Sequence, residues 1–319
     1  MFKIMTWNLE NLFLPGTESG PPSQDVYDAK LQGLASVINE HAPDVLAVQE
    51  VGDPAALDDL IGVLNGAWSS QVSGHPDRRH IRVAWLARGA ITEPDVEIFQ
   101  FPLHLQPVQV DDTGTSLNEM GRGAVAITVE SETGRAIRLV TAHLKSKLLT
   151  YPGGRFGPHD EDERARYAAY ALYRRTAEAA TLRVWVTAAL AGMGEDRPLI
   201  LAGDLNDTVQ AATTQLLLGP PGSEIGTGGF NHPDQGDHQR LWNLAPQMPD
   251  GKNYSRINQG RKELIDHILV SAALVKPLDG ITVEAVNPEA LPSITANPNA
   301  RRHEPISDHA PVIATFANI

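Results

Sequence analysis

The chain predicts an α/β protein built as one domain over residues 1–319, and three observations carry that prediction. Short apolar runs bounded by turn residues recur from Lys3 to Phe316, as buried strands do. Apolar stripes at helical spacing alternate with those runs, and two pairs of runs are joined by tight turns of hairpin type. No repeat of solenoid period and no linker that cleanly separates two domains interrupts the pattern.

The first run, Lys3 to Asn8, holds Ile4, Met5 and Trp7 and ends in Asn8, Leu9, Glu10 and Asn11. A Pro/Gly/Ser-rich loop follows from Leu14 to Asp28. Leu31, Leu34, Ala35 and Ile38 then recur at helical spacing, and Pro43 closes that helix. Val45 to Val48 is a second buried strand, which delivers Gln49 and Glu50. Asp53-Pro54 reads as an N-cap with proline at the first helical position, ahead of Leu57, Leu60, Ile61 and Leu64. Between Trp68 and Phe101 the period becomes two, with Ile81, Val83 and Trp85 on one face. Pro102 to Gly121 is irregular. Ala124–Val129 and Ala136–Ala142 form a hairpin around Glu132-Thr133-Gly134, whose second strand ends in His143. A loop to Pro158 leads to the longest helix, Asp162 to Ala191, with Ala165, Ala169, Leu172, Ala179, Leu182, Val186 and Leu190 on one face.

Leu199 to Ala202 is a run of the kind a strand buried on both faces shows. Thr208 to Leu218 is expected to be helical, and Gly219 to Gly236 a surface loop. Tyr254 to Ser271 reads as a hairpin turning near Gln259-Gly260, its second strand Leu264–Val270 containing Asp266. A long loop through Pro305 reaches Ser307, Asp308 and His309, and Pro311 to Phe316 is the last strand.

Composition narrows the functions. Hydrophobic residues make up 42% of the chain, as in ordinary globular proteins. No apolar stretch reaches the roughly 18 residues that span a bilayer, and the N-terminus lacks a signal-peptide pattern, so a cytoplasmic location is expected. With no cysteine, any metal must be held by oxygen or imidazole. A formal charge of −13 argues against non-specific coating of nucleic acid, which needs many phosphate-neutralising cations. It leaves room for an enzyme that meets phosphodiesters locally.

Polar residues gather where the apolar runs end. After Leu199–Ala202, Gly203 lets the backbone turn, and Asp204, Asn206 and Asp207 follow at the mouth of the strand. The same arrangement recurs at Asn8/Glu10, Glu50, His143, Asp266 and Asp308/His309. Singly, most have ordinary accounts: Asp and Asn favour turns, and glutamates are usually exposed. Asp266 is harder to dismiss, because a carboxylate within Leu264–Leu269 needs a partner. Together, hard oxygen ligands, two histidines and no cysteine describe a Mg²⁺- or Mn²⁺-type site suited to in-line attack of water on phosphorus.

The segments TWNLEN, AVQEV, TAHLKSK, AGDLND, LIDHILVS and ISDHAPV, in this order, resemble the endonuclease/exonuclease/phosphatase superfamily, which includes deoxyribonuclease I and abasic-site endonucleases. The resemblance spans Trp7 to Phe316. It implies a four-layer αββα sandwich, with two mixed, mainly antiparallel sheets packed face to face, helices outside and the site at one end. It implies Glu50 as the principal metal ligand and Asn8 and Asp308 as supporting ligands or orienters. Glu10 falls where some members place another acidic residue. Asp204 matches the group that activates or aligns the attacking water, and Asn206 one that fixes that water or a phosphate oxygen. His309 matches the imidazole on the scissile phosphate, Asp266 the carboxylate that orients it, and His143 the second histidine of the deoxyribonuclease-like branch.

The implied enzyme is a nuclease using Mg²⁺ or Mn²⁺, with nucleic acid as substrate. Lys145 and Lys147, and Arg122 between two glycines, are candidates to touch a diester backbone. Arg164 and Arg175 share a face of the long helix while Arg166, Arg174 and Arg183 point elsewhere, which reads as a solvated helix. The rivals are a phosphatase of inositol phosphates and a phospholipid-headgroup enzyme. The first would carry a Trp-Cys-Asp-Arg signature where ELIDHILVS stands. The second would carry an aromatic docking hairpin, yet Pro102–Gly121 and Gly219–Gly236 hold only Phe230. A silent binding module would have lost ligands, and all six places are filled.

Overall fold

Side chains alternate along a strand, so the central strands here serve two interiors at once. The computed structural model describes residues 1–155, 157–276, 278–295, 301, 304–317 and 319, apart from the side chains of 93–95. β1 (Phe2–Leu12) is followed by α1 (Gln24–His41), β2 (Val45–Val51), α2 (Pro54–Val63), β3 (Ser69–Val72) and β4 (Arg82–Ala87). The chain then crosses over with β5 (Ile91–Gln100), forms a small ribbon of β6 (Val108–Gln109) and β7 (Ser116–Leu117), and returns through β8 (Glu119–Glu130) and β9 (Ala136–His143). The long helix α3 (Glu161–Leu190) leads to β10 (Leu199–Asp204), α4 (Ala212–Leu218) and β11 (Leu241–Asn243). A hairpin of β12 (Arg256–Asn258) and β13 (Arg261–Glu263) precedes β14 (Asp266–Ser271) and the one-turn α5 (Ala272–Val275). β15 (Ile281–Ala285), β16 (Ser293–Ile294) and β17 (Val312–Phe316) follow.

Two six-stranded sheets result, ordered β15-β17-β1-β2-β4-β3 and β11-β14-β10-β9-β8-β5. Only β1–β2 and β9–β10 run parallel within them; the other neighbours are antiparallel. Between the sheets, Ile4, Val45, Ala47, Val83 and Trp85 of the first pack on Val125, Leu139, Ile200, Ala202 and Ile268 of the second. The alternate residues face outward. Met5, Trp7, Leu46 and Val48 bury against α1 and α2, while Val140, Leu201 and Leu269 bury against α3 and α4. This is the four-layer sandwich. Among the described residues no helix is long and apolar enough to cross a membrane.

Local signals start and stop the elements. Ser23 caps α1, Asp53 caps α2 ahead of Pro54, and Asp160 caps α3 by accepting from Glu163 N at 2.7 Å. Four expectations need correction. α1 begins at Gln24, inside the expected loop, because Ser23 caps it there. The apolar face of α3 is Ala179, Leu182, Val186 and Leu190 only in its second half; Ala165 and Leu172 are exposed, and Glu163, Tyr167, Ala171 and Arg175 are buried instead. The hairpin near Gln259-Gly260 ends at Glu263, and β14 is a separate strand of the second sheet. The long loop before Pro305 contains β15, an edge strand on β17, while residues 296–300 and 302–303 of it lie outside the described residues. Phe230, the lone aromatic residue of the two loops, is buried against Trp242.

Candidate active site

Strand parity brings the polar residues together. Ile4, Leu139, Ile200 and Ile268 all face the space between the sheets. Counting on in twos, Asn8, His143, Asp204 and Asp266 face it too. The register does the rest: Asp204 stands opposite His143 on β9 and Asp266 on β14, and Asn8 opposite Gln49 on β2. One layer below, Gln49 Nε2 donates to Thr6 Oγ1 and Thr141 Oγ1, both at 3.2 Å, a buried polar bridge between the sheets that floors the site.

Glu50 reaches the same end by a different device. The β1–β2 register shifts between Asn8 and Leu12, and β2 against β4 shifts between Gln49 and Val51. At these irregularities Glu10, Asn11 and Glu50 adopt φ of 49°, 61° and 62°, and Asn206 beyond β10 adopts 53°. Four non-glycine residues in left-handed backbone at one end mark stored strain of the kind found at functional sites. The turn at Glu50 aims its carboxylate back at β1: Oε2 accepts from Asn11 N at 3.0 Å, and Oε1 lies 3.4 Å from Asn8 Nδ2.

Asn8 also donates to Asp204 Oδ2 at 3.0 Å, and Asp204 Oδ1 accepts from Asn206 N at 2.8 Å. His143 Nε2 lies 3.4 Å from Asp204 Oδ2. Burial pushes the Asp204 pKa up to about 6, aided by Asp266 and opposed by His309 and its own hydrogen bonds. Asn206 Nδ2 donates to the Leu144 carbonyl at 3.0 Å, which fixes its amide across the parallel strand pair. Burial, then the charges of Arg122, His309, Arg256 and Lys145, hold His143 well below the histidine range, so it is a neutral imidazole.

On the facing side, His309 Nδ1 lies 2.8 Å from Asp266 Oδ2, which also accepts from Ser255 Oγ at 2.6 Å. Burial disfavours the charged imidazole, but Asp266, Asp308 and Asp204 outweigh it and raise His309 to about 10. The loop that carries His309 is tied down: Ser307 Oγ donates to the Asn8 carbonyl at 2.6 Å, and Trp7 Nε1 to the His309 carbonyl at 2.7 Å. Asp308 N donates to Glu10 at 2.8 Å, and Arg301 binds the Glu10 carboxylate at 3.1 Å. Burial and Asp308 raise Glu10 to about 7, against the pull of Lys30 and Arg301. Among the described residues the Asp308 carboxylate receives no hydrogen bond; Arg256 Nε and His309 Nε2 stand 4.0 Å away.

All the expected strand-end residues thus meet at one end. The expected phosphate contacts are placed differently. Lys145 Nζ donates to the carbonyls of Ser146 and Leu148, at 2.9 and 2.7 Å, and burial lowers it to about 8. Lys147 pairs with Asp207 at 3.2 Å, and Arg122 with Asp77 at 2.9 Å. The solvated-helix reading of the arginines on α3 is corrected for Arg175, which is 6% exposed and paired with Asp207 at 3.1 Å. Residues that sequence reasoning missed are Ser255, Gln49 with its two threonines, Arg301, and Lys30 of α1. Burial lowers the pKa of the Lys30 amine, and the carboxylates of Glu10, Glu50 and Asp308 oppose that shift.

Asp204, Asp266 and His309 each bring a ligand atom within 4.8 Å of the others, a spacing that can hold a metal ion. The chain matches the Endonuclease/Exonuclease/phosphatase family over residues 5–309. No curated protein sequence matches it. Among solved structures it is similar to the human Nocturnin catalytic domain with bound sulfate anion, at 15% identity and TM-score 0.57 over 99% of this chain and 94% of that one. It is similar to the Bacteroides thetaiotaomicron mannosyl-6-phosphatase Bt3783, at 15% and 0.55 over 99% and 100%. Truncated Caenorhabditis elegans TDP2 follows at 17% and 0.53, over 99% and 97%. At these identities the structural likeness shows the fold alone. The sequence match extends through both sheets to His309, and on that ground the chain belongs to the endonuclease/exonuclease/phosphatase family.

Proposed function

We propose that this chain, working as one domain, is a divalent-metal-dependent phosphodiesterase that acts on nucleic acid, a nuclease. The observation that carries the reading is the facing of Asp204 and His309 across the seam between the sheets, with the Asp308 carboxylate beside them and, among the described residues, without a hydrogen bond. Such a carboxylate, which shares the neighbourhood of Lys30 with Glu10 and Glu50, fits a hard cation such as Mg²⁺ or Mn²⁺. The Asp204–Asp266–His309 set fits it less well, because Asp266 Oδ2 already holds His309 and Ser255. Glu50, Asp308 and Asn8 would hold the ion, with Glu10 behind them bound to Arg301. When bound, the ion neutralises charge that develops on the phosphoryl oxygens.

The chain's own groups perform the rest. With a pKa of about 6, Asp204 is ionised near neutral pH and can take a proton from an in-line water. Neutral His143 and the Asn206 amide border that position. His309, kept cationic by Asp266, faces the negative charge of the phosphate and stabilises it as it grows. A second reading, hydrolysis of small phosphomonoesters or lipid headgroups, is favoured by the commitment of Lys145 and Lys147 to other partners. The discriminating experiment is a panel of plasmid, single-stranded DNA, RNA, abasic duplex, p-nitrophenyl diester and sugar phosphates with Mg²⁺ or Mn²⁺. The nuclease reading expects cleavage of at least one nucleic acid. Preference for monoesters over every oligonucleotide would replace it with the second reading.

A further inference from the structure

Most cations near the site are already spoken for. Arg122 is held by Asp77 at 2.9 Å, Arg175 and Lys147 by Asp207 at 3.1 and 3.2 Å, and Arg301 by Glu10 at 3.1 Å. Lys145 is held by backbone carbonyls. Arg256 differs. It opens β12, and its backbone forms an isolated antiparallel bridge with His309, reinforced by Ala310 N donating to the Ser255 carbonyl at 2.8 Å. Its guanidinium makes no hydrogen bond among the described residues. The nearest carboxylate oxygen, on Asp308, is 4.0 Å away, and Nε is buried with no partner. The side chain is one quarter exposed, at 25%, and its charge reaches His143 across the site.

A guanidinium has five donors in a planar fork, and leaving a buried one unmatched is costly. A role as counter-charge to Asp308 would be served better by closing the 4.0 Å gap. We propose that Arg256 is a ligand of the substrate phosphate, its fork taking two non-bridging oxygens of the group that faces His309. The proposal rests on the phosphoester-hydrolase reading for the identity of the anion, and phosphomonoesters and diesters both offer that pair of oxygens. Bidentate geometry favours arginine over lysine at such a position.

The test uses the full chain, inorganic phosphate as probe, and titration calorimetry, with melting curves to check folding. Arg256→Gln is expected to weaken phosphate binding by about 10–100-fold, the range for a lost charge-assisted hydrogen bond. Arg256→Lys is expected to recover only part of it, because charge returns without the fork. kcat/KM for bis-p-nitrophenyl phosphate should fall in parallel. Binding within twofold of the parent in Arg256→Gln, or no phosphate binding by the parent, overturns the proposal. Should the variants fail to fold, phenylglyoxal modification of the parent decides. Phosphate is expected to protect Arg256, and modification at an unchanged rate rejects the assignment. The two readings fail separately: a parent that binds phosphate through Arg256 but hydrolyses no ester rejects the hydrolase, while an active parent with an unaffected Arg256→Gln rejects only this ligand.

Discussion

Asp266 sets the state of two other groups: its Oδ2 holds His309 at 2.8 Å, and its charge raises both His309 and Asp204. Asp266→Ala and His309→Ala should therefore each be severe in kcat, and the double variant little worse than either, since residues that act as a unit are non-additive. Strictly multiplicative losses would show separate roles. The same coupling has a pH signature. Activity should rise through about 6 as Asp204 ionises and fall through about 10 as His309 loses its proton, and Asp266→Asn should move both limbs down. For stability, the folded His309 pKa lies above its ordinary 6.5. Its contribution is complete below about 6.5 and disappears as pH rises through about 10; Asp204, also raised, loses stability between about 4 and 6. Urea titrations from pH 7 to 10.5 should show the decline in the parent and its loss in Asp266→Asn. At this scale the sequence was informative where chemistry conflicted with surroundings. Asp266 lies in an apolar strand and demanded a partner. Ser255 in a polar loop and Lys30 on a helix look ordinary, and only the fold shows what they face.

The parallel pair β9–β10 is the tightest element of the site. A Cβ on Gly203 would come 2.1 Å from the Ala142 carbonyl oxygen on β9, a backbone atom that cannot step aside. Gly203→Ala should destabilise the chain by at least about 1–3 kcal/mol, the usual cost of overpacking, read as a fall in urea midpoint with unchanged slope. A midpoint equal to the parent's would mean that the strands part at no cost. Helices with clear caps and hairpins with turn residues were legible in the sequence because their signals are local. β15 was not, although Ile281, Val283 and Ala285 alternate, because an edge strand needs only one partner and β17 lies some thirty residues on. The first half of α3 also misled: Arg175 occupies a buried position whose Asp207 partner lies in the turn after β10.

At the scale of the molecule, the sandwich places carboxylates from both sheets at one edge of a protein of formal charge −13. A resident cation should therefore stabilise the folded chain as well as serve the reaction. EDTA is expected to abolish hydrolysis and Mg²⁺ or Mn²⁺ to restore it. Either ion should also raise the melting temperature with concentration, as a ligand of the native state does. Full turnover in EDTA would reject the proposed role of Glu50 and Asp308. The layered architecture itself came from the resemblance of six motifs. Strand periodicity specifies which faces are buried, but not that the order is β15-β17-β1-β2.

That order has a consequence for how the chain comes into being. β1 lies between β2 and β17, Ser307 secures the Asn8 carbonyl, and Trp7 secures His309. A nascent chain on the ribosome possesses Asn8, Glu50, His143 and Asp204 long before the segment that completes them has been translated. On the nuclease reading, the enzyme is latent until the segment from Ser307 to Phe316 has been translated and has docked beside β1.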